Sequence, residues 1–258
     1  MTDFFNSLIG KSPSNHIIDW IKKYFIENGP NSKAVIGISG GKDSTVAAAL
    51  LCKALSPDRV IAVLLPQHTQ HDIDVARDVC NYLKIPFDNV YEMTIGNIVD
   101  SFYKTLGSKD LPSIVTTNTP ARIRMAMLYA IAGLEGGRVC NTCNRSENYI
   151  GYSTKYGDHA GDFSPLADYT VSEVIQIGKE LNIPERFLLK PPEDGLSGLT
   201  DEDNLGFTYE TLDRYLLQDI IPEYEIYKKI EELHSRNLHK LKEMPYCKKE
   251  KTLYDCGI

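Results

Sequence analysis

The chain has 258 residues, 42% of them hydrophobic and 24% charged, which places it in the ordinary globular range where a single large core can be buried. Its formal net charge is −7 and its sequence pI about 5.4. An extended nucleic-acid groove, which depends on Lys and Arg to neutralise phosphates, is therefore disfavoured, while a small anionic ligand held by local donors stays allowed.

At the amino end, residues 1–15 show no basic segment followed by a long apolar stretch, and no window has the length and apolarity to span a bilayer. A soluble, cytoplasmic protein is expected, with no membrane and no nucleic-acid partner. Between 15 and 29, Ile17, Ile18, Ile21, Tyr24 and Phe25 recur at helical spacing, with Asn15 as N-cap and Gly29 as stop. The run from Ala34 to Ile38 reads as a strand, and residues 44–55, rich in Ala and Leu, read as a helix after a Gly-rich turn. Residues 60–65 form a second apolar strand, 72–83 a helix and 89–94 a weaker third strand. Strands that are apolar on both faces and alternate with helices imply a parallel sheet covered on both sides. Further on, 120–134 reads as a helix, 138–141 as a short strand, and 171–181 as a helix opening near Thr170 and closing before Pro184. The expected fold is α/β and doubly wound, with a mostly parallel five-stranded sheet flanked by helices, in one domain over 1–258. Residues 190–204, KPPEDGLSGLTDEDN, lack periodicity and make a lid candidate. Residues 215–240 return to helix with many charges, and 244–258 read as a weakly ordered tail.

The sharpest feature is Gly37-Ile38-Ser39-Gly40-Gly41-Lys42-Asp43-Ser44, where the first strand ends and a helix begins. Glycines let the backbone turn with its N–H groups pointing inward, and the helix adds the positive end of its macrodipole, so phosphate oxygens are well received. The plainer alternative is a glycine turn with no ligand. Against it, the segment lies at the carboxyl edge of a parallel sheet, where such folds bind ligands. The segment is not a Walker loop, because Ile36 stands where the first glycine belongs and Asp43 follows the lysine. The dinucleotide G-x-G-x-x-G spacing fails as well. Cys140 and Cys143 form one C-x-x-C, but four-ligand zinc needs a second pair, and the six cysteines have no disulfide framework spacing. Free thiols are expected.

The string SGGKDS resembles the PP-loop signature of ATP pyrophosphatases, enzymes that split ATP into AMP and pyrophosphate while activating a carboxylate or carbonyl. Further strings, in order, resemble the ammonia-dependent NAD synthetases: Ala121-Arg122-Ile123-Arg124-Met125, then Cys140-Asn141-Thr142-Cys143-Asn144-Arg145-Ser146-Glu147, then Gly151-Tyr152-Ser153-Thr154-Lys155-Tyr156-Gly157-Asp158. The likeness continues through Gly161-Asp162-Phe163-Ser164-Pro165-Leu166, Lys190-Pro191-Pro192 and Thr200-Asp201-Glu202-Asp203. It implies an adenine nucleotide alpha hydrolase-like fold and ATP-dependent amidation of nicotinic acid adenine dinucleotide (deamido-NAD) by ammonia to NAD. By the same resemblance, ATP is expected on Gly37, Ile38, Ser39, Gly40, Gly41, Lys42, Asp43, Ser44, Gln70 and Thr142, and Mg²⁺ on Asp43 and Glu147. Deamido-NAD falls to Arg122, Lys155, Asp162, His239 and Lys240, with Asp43 and Asp162 in the catalytic roles.

The resemblance further implies a homodimer, and a chain of this length leaves no space for the glutaminase domain of glutamine-dependent relatives. The sequence also departs from the pattern. Val171 stands where some members place a lysine on ATP, Glu193 where they carry a small hydroxyl residue, and His68 where glycine is frequent. Val cannot donate to a phosphate and Glu repels one, so Lys42 or Lys190 would have to take over. Two rival readings follow: a tRNA-modifying PP-loop enzyme using Cys140 or Cys143 as sulfur carrier, and a nucleotide sensor without turnover.

Overall fold

A computed structural model describes residues 12–68, 73–108, 110–189 and 200–248. The first helix, α1 (Pro13–Asn28), carries Pro at its opening turn, where the missing N–H removes nothing, and ends at Gly29. Then follow β1 (Lys33–Gly37), α2 (Lys42–Leu55), β2 (Val60–Leu64), α3 (Ile73–Tyr82) and β3 (Val90–Glu92). After them come α4 (Gly96–Leu106), α5 (Ser113–Glu135), β4 (Gly137–Val139) and α6 (Arg145–Ile150). The described chain closes with α7 (Val171–Glu180), α8 (Glu185–Leu188), α9 (Asp201–Leu205), α10 (Tyr209–Gln218) and α11 (Tyr224–Leu241).

The strands pair in parallel in the order β3-β2-β1-β4, with Val35 opposite both Ile61 and Val139. Because side chains alternate across a strand, Ala34 and Ile36 point to one face and Val35 to the other. The first face, with Val60, Ala62 and Leu64, packs against Ile17, Ile21 and Phe25 of α1, Leu50 of α2 and Val174 of α7. The second, with Ile61 and Val63, packs against Val99 of α4 and Met125, Leu128 and Ile131 of α5. Both faces are covered, which is the doubly wound arrangement. A third apolar cluster, with Ile150, Val171, Leu205, Phe207, Tyr209, Leu212 and Ile230, forms a helical annex beyond the sheet's carboxyl edge.

Four strands are described where five are expected. The fifth is reduced to one parallel bridge, Cys140 to Phe163, flanked by the bonds Asp162 N to Val139 O and Asn141 N to Phe163 O. Pro165 follows two residues later and has no N–H with which to extend a ladder.

Helix α5 begins seven residues before the expected start at Pro120 and carries that proline inside it. A proline leaves the carbonyl four residues back without its helical donor, and here the Tyr103 hydroxyl donates to that Thr116 oxygen at 3.1 Å. Helix α4, absent from the sequence reading, supplies the tyrosine. The long charged segment is two helices, broken where Asp219 takes a left-handed φ of 54° ahead of Pro222. Asp201–Leu205, inside the expected lid, is a short helix with a Thr200–Asp203 capping box. Residues 190–199, the last ten residues and Gln70 lie outside the described set, so Lys190, Glu193 and most of the expected tail do too. Among the described residues no helix is long and apolar enough to cross a membrane.

Candidate functional site

The Gly-rich segment turns directly from β1 into α2 at the sheet's carboxyl edge. Gly40 holds φ at 79°, in the left-handed region, and a Cβ there would meet the Ala76 amide nitrogen at 3.2 Å. Gly41 opens α2 with no side chain capping the helix, so the first-turn amides that lack helical acceptors remain available to an anion. Ser39 and Ser44 shape the loop from inside, their hydroxyls 3.1 Å apart, with the Gly41 amide donating to Ser39 Oγ and Ser44 Oγ donating to Gly41 O. Lys42 is 5% exposed, and its ammonium lies 3.0 Å from Asp43 Oδ2. Burial by itself would lower the Lys42 pKa, but the carboxylates of Asp43, Glu147 and Asp201 outweigh it and hold that pKa above the ordinary lysine value.

The second loop of the site follows β4. Thr142 lies within it, partly buried, and Asn144 closes it as the N-cap of α6. The Asn144 side chain accepts from the Glu147 amide at 2.9 Å, and the Glu147 carboxylate accepts from the Asn144 amide at 3.3 Å. The same side chain donates from Nδ2 to Asp43 Oδ1 at 3.1 Å. Asn144 thus ties the two expected metal acids together across 104 residues of sequence, and the spacing Asn144-x-x-Glu147 was its only signal. Burial and then the nearby Asp43 charge push the Glu147 carboxyl up to about 8. Asp213, 3% exposed, fixes α6 from below by accepting from the Ser146 hydroxyl and from the Ser172 amide at the start of α7. No local pattern marks Asp213, because its partners lie 67 and 41 residues away.

A second, cationic group is assembled by residues 151–159 and α11. Arg122 Nε donates to Lys155 O at 3.2 Å, Lys155 Nζ to His239 O at 2.6 Å, and Lys240 Nζ to Gly151 O and Ser153 O at 2.7 and 2.9 Å. Four of the expected dinucleotide residues therefore meet. Asp162 stands apart, against β4. It accepts from the Val139 amide at 2.7 Å and the Tyr129 hydroxyl at 3.2 Å, and its backbone carbonyl accepts from Tyr24. No hydrogen bond or ion pair among the described residues joins Asp162 to Asp43, Glu147 or Arg122.

The C-x-x-C thiols are buried. Cys140 donates to Asn141 O and Cys143 to Asp158 O, and burial raises both pKa values, so neither offers the thiolate that sulfur transfer or metal binding needs. No group of three or more metal-ligating side chains occurs among the described residues. Val171, at the start of α7, is buried in the annex cluster. His68 holds a left-handed φ of 52°, a conformation easier for glycine, and its Nε2 lies 3.2 Å from Asp100 Oδ1.

The family model for NAD synthase matches residues 14–251. The NH(3)-dependent NAD(+) synthetase of Thermoplasma acidophilum is 39% identical over 228 residues, covering 84% of this chain and 90% of that protein. That of Pyrococcus horikoshii is 38% identical over 238 residues, covering 87% and 91%. Among solved structures, the NMN synthetase from Francisella tularensis superposes with a TM-score of 0.84 at 33% identity, over 92% of this chain and 99% of that one. The NH3-dependent NAD synthetase from Campylobacter jejuni superposes at 0.74 with 30% identity, over 92% and 98%.

Proposed function

The chain belongs to the NAD synthase family, and from that premise we propose that its two loops after β1 and β4 form the ATP-activating centre of an ammonia-dependent synthetase. The activity is the ATP-dependent amidation of deamido-NAD to NAD. A carboxylate is a poor acyl donor because its oxygen leaves badly. The nicotinate carboxylate therefore attacks the α-phosphorus of ATP, pyrophosphate departs, and ammonia then displaces AMP from the adenylate to leave the amide. No covalent enzyme intermediate is needed.

Gly37 to Ser44 receive the phosphates on backbone amides, on the Ser39 and Ser44 hydroxyls and on Lys42, and Thr142 borders the nucleotide. Asp43 and Glu147 suit a hard divalent cation. Each is an oxygen ligand, the two are linked through one asparagine, and a cation held by them would offset the burial and the Asp43 charge that together raise the Glu147 pKa. Asp43 and Glu147 would hold magnesium, which would supply charge neutralisation at the phosphates. Arg122, Lys155, His239 and Lys240 receive the dinucleotide, and Gln70 is assigned to ATP by resemblance alone. Asp162 uses two of its roughly four acceptor positions on Val139 and Tyr129, leaving capacity for an ammonium ion that must lose a proton before attacking. Unchanged ammonium dependence in Asp162→Asn would remove it from that step.

The link through Asn144 carries this reading. Its test is pyrophosphate release from ATP, Mg²⁺, deamido-NAD and ammonium with an NAD-specific readout, glutamine being the alternative donor. NAD formation with ammonium alone, lost in Asp43→Ala, supports it; ATP binding without either product returns the sensor reading.

The likeness to the Francisella NMN synthetase favours a second reading of the substrate, the nicotinate mononucleotide. The two substrates share the reacting carboxylate and differ by the adenylyl half. Comparing kcat/KM for the dinucleotide and the mononucleotide decides between them.

The homodimer is assigned to the outer face of α4 and α5. There Ile98, Phe102, Leu106 and Ile114, the last 68% exposed, leave apolar surface uncovered. Phe102→Asp is expected to convert the sedimenting species to monomer.

A further inference from the structure

Tyr209 belongs to none of the roles assigned so far. It opens α10 and is 3% exposed. Its ring packs in the annex cluster with Val171, Leu205 and Phe207, and the Lys42 ammonium lies 5.7 Å from the ring centroid. The Tyr209 amide donates to Glu202 Oε1 at 2.8 Å, which pins the start of the helix and so the direction of the side chain. Its hydroxyl is fully buried and has no hydrogen-bond partner among the described residues.

A buried hydroxyl left unpaired destabilises the protein that carries it, so such a group calls for a ligand that completes it. No acid among the described residues accepts from it. Asp43 is engaged by Asn144 and Lys42, and Glu147 by the Asn144 amide. Burial and then the charges of Glu147, Asp201 and Asp43 raise the phenol pKa, so the hydroxyl keeps its proton and stays a donor. The charges around it are the loop lysine, the two acids assigned above to magnesium and Asp201. At position 171, where some family members bring a lysine to ATP, this chain has an apolar residue in the same cluster as the Tyr209 ring.

We propose that the Tyr209 hydroxyl donates a hydrogen bond to a phosphate oxygen at the pyrophosphate end of the nucleotide, while its ring holds Lys42 toward the same oxygens. The ligand class is a nucleoside triphosphate or the pyrophosphate it leaves. The inference rests on the reading that ATP occupies the loop after β1, and it adds a phosphate-binding residue from the helical annex to a site otherwise built from the sheet edge. Lys42 and Tyr209 together then supply what Val171 does not.

The test is Tyr209→Phe, which removes one oxygen and leaves the ring over Lys42. Thermal unfolding of the ligand-free protein is expected to give a midpoint equal to that of the unsubstituted chain or about 2–4 °C higher, because the unpaired group is gone. Calorimetric titration with ATP and Mg²⁺, and with pyrophosphate and Mg²⁺, is expected to show dissociation constants raised about tenfold, with AMP binding unchanged. Tyr209→Leu, which also removes the ring, should weaken both phosphate ligands further. Equal affinities of Tyr209→Phe and the unsubstituted protein for ATP and pyrophosphate would overturn the proposal. A lower midpoint in the ligand-free variant would overturn it too, since the hydroxyl would then have a partner without ligand. If the unsubstituted protein binds neither ATP nor pyrophosphate, the nucleotide site itself falls, and this inference with it.

Discussion

At the end of the site proposed to take the phosphates, Asp43 and Glu147 stand in the first turns of two helices, and several side chains around them are tied to one another: Ser39 to Ser44, Asn144 to both acids, Asp213 to the start of α7. At the cationic end, Arg122, Lys155 and Lys240 hold no carboxylate among the described residues. They hold backbone carbonyls of residues 151–155 and 239. The first arrangement is held by its own hydrogen bonds, which suits electrostatic stabilisation that must be in place before charge develops. The second is a set of cations with borrowed partners, each able to exchange a neutral carbonyl for a charged phosphate and gain by it. On the proposed reading, chemistry is built into helix starts, and recognition into side chains held by neutral carbonyls. Mutations at the two ends should accordingly fail in different ways.

The largest effect is expected at the phosphate end. Asp43→Asn keeps the shape of the side chain and removes its charge, and kcat for NAD formation should fall about 10²–10³-fold. Dinucleotide affinity, measured by calorimetry, should hardly move. A parallel loss of dinucleotide binding would break the division between the two ends.

Lys240→Met addresses the cationic end. It removes two donors to residues 151 and 153 together with one positive charge. The dinucleotide KM should rise about tenfold while kcat and the ATP KM stay near their original values. If kcat falls as steeply as kcat/KM, the segment takes part in the chemistry, and the contrast drawn above is too sharp.

The loop after β1 was legible in the sequence because its parts are local, whereas Thr142 and Glu147 were reached only through family resemblance. Glycine spacing, a strand before and a helix after are all contained between residues 33 and 55. The cationic end was legible only through family resemblance, since a His-Lys pair on a charged helix looks the same whether it faces solvent or, like Lys240, bonds a distant turn. The buried links were not legible. Tyr103 rescuing the carbonyl freed by Pro120, Asp213 beneath Ser146 and Tyr209 beside Lys42 are tertiary pairings with no periodic or local signature. The helix start at Ser113 went astray for the same reason, a local rule about proline yielding to a partner on another helix, whereas the fifth strand is cut short locally by Pro165.

A smaller effect, felt in both stability and rate, is expected of Asn144→Ala. Losing the cap should cost about 1 kcal/mol, a midpoint drop of about 2–4 °C. Turnover should also fall, because Asp43 and Glu147 lose their common tether. Asn144→Asp restores a cap but sets a third negative charge beside the two acids, so it should recover the midpoint without recovering turnover. Recovery of both would make Asn144 a cap and nothing more.

The smallest expected effect concerns pH at the cationic end. His159 feels the charges of Asp158, Lys240 and Lys155, and its Nδ1 is buried with no hydrogen-bond partner among the described residues. Burial lowers its pKa below 6.5, Asp158 opposes that shift, and the two lysines add to it. Between the unfolded value and the lowered folded value, the unfolded chain binds the proton more readily, so stability falls as pH drops through that window. His159→Gln should flatten this loss in thermal unfolding followed from pH 7 to pH 5. Bound dinucleotide should oppose it as well, because phosphates beside His159 stabilise the imidazolium and raise its pKa. A substrate that flattens the acid limb in the unsubstituted protein but not in His159→Gln would place its phosphates at the cationic end. An acid limb that substrate leaves unchanged would move them elsewhere.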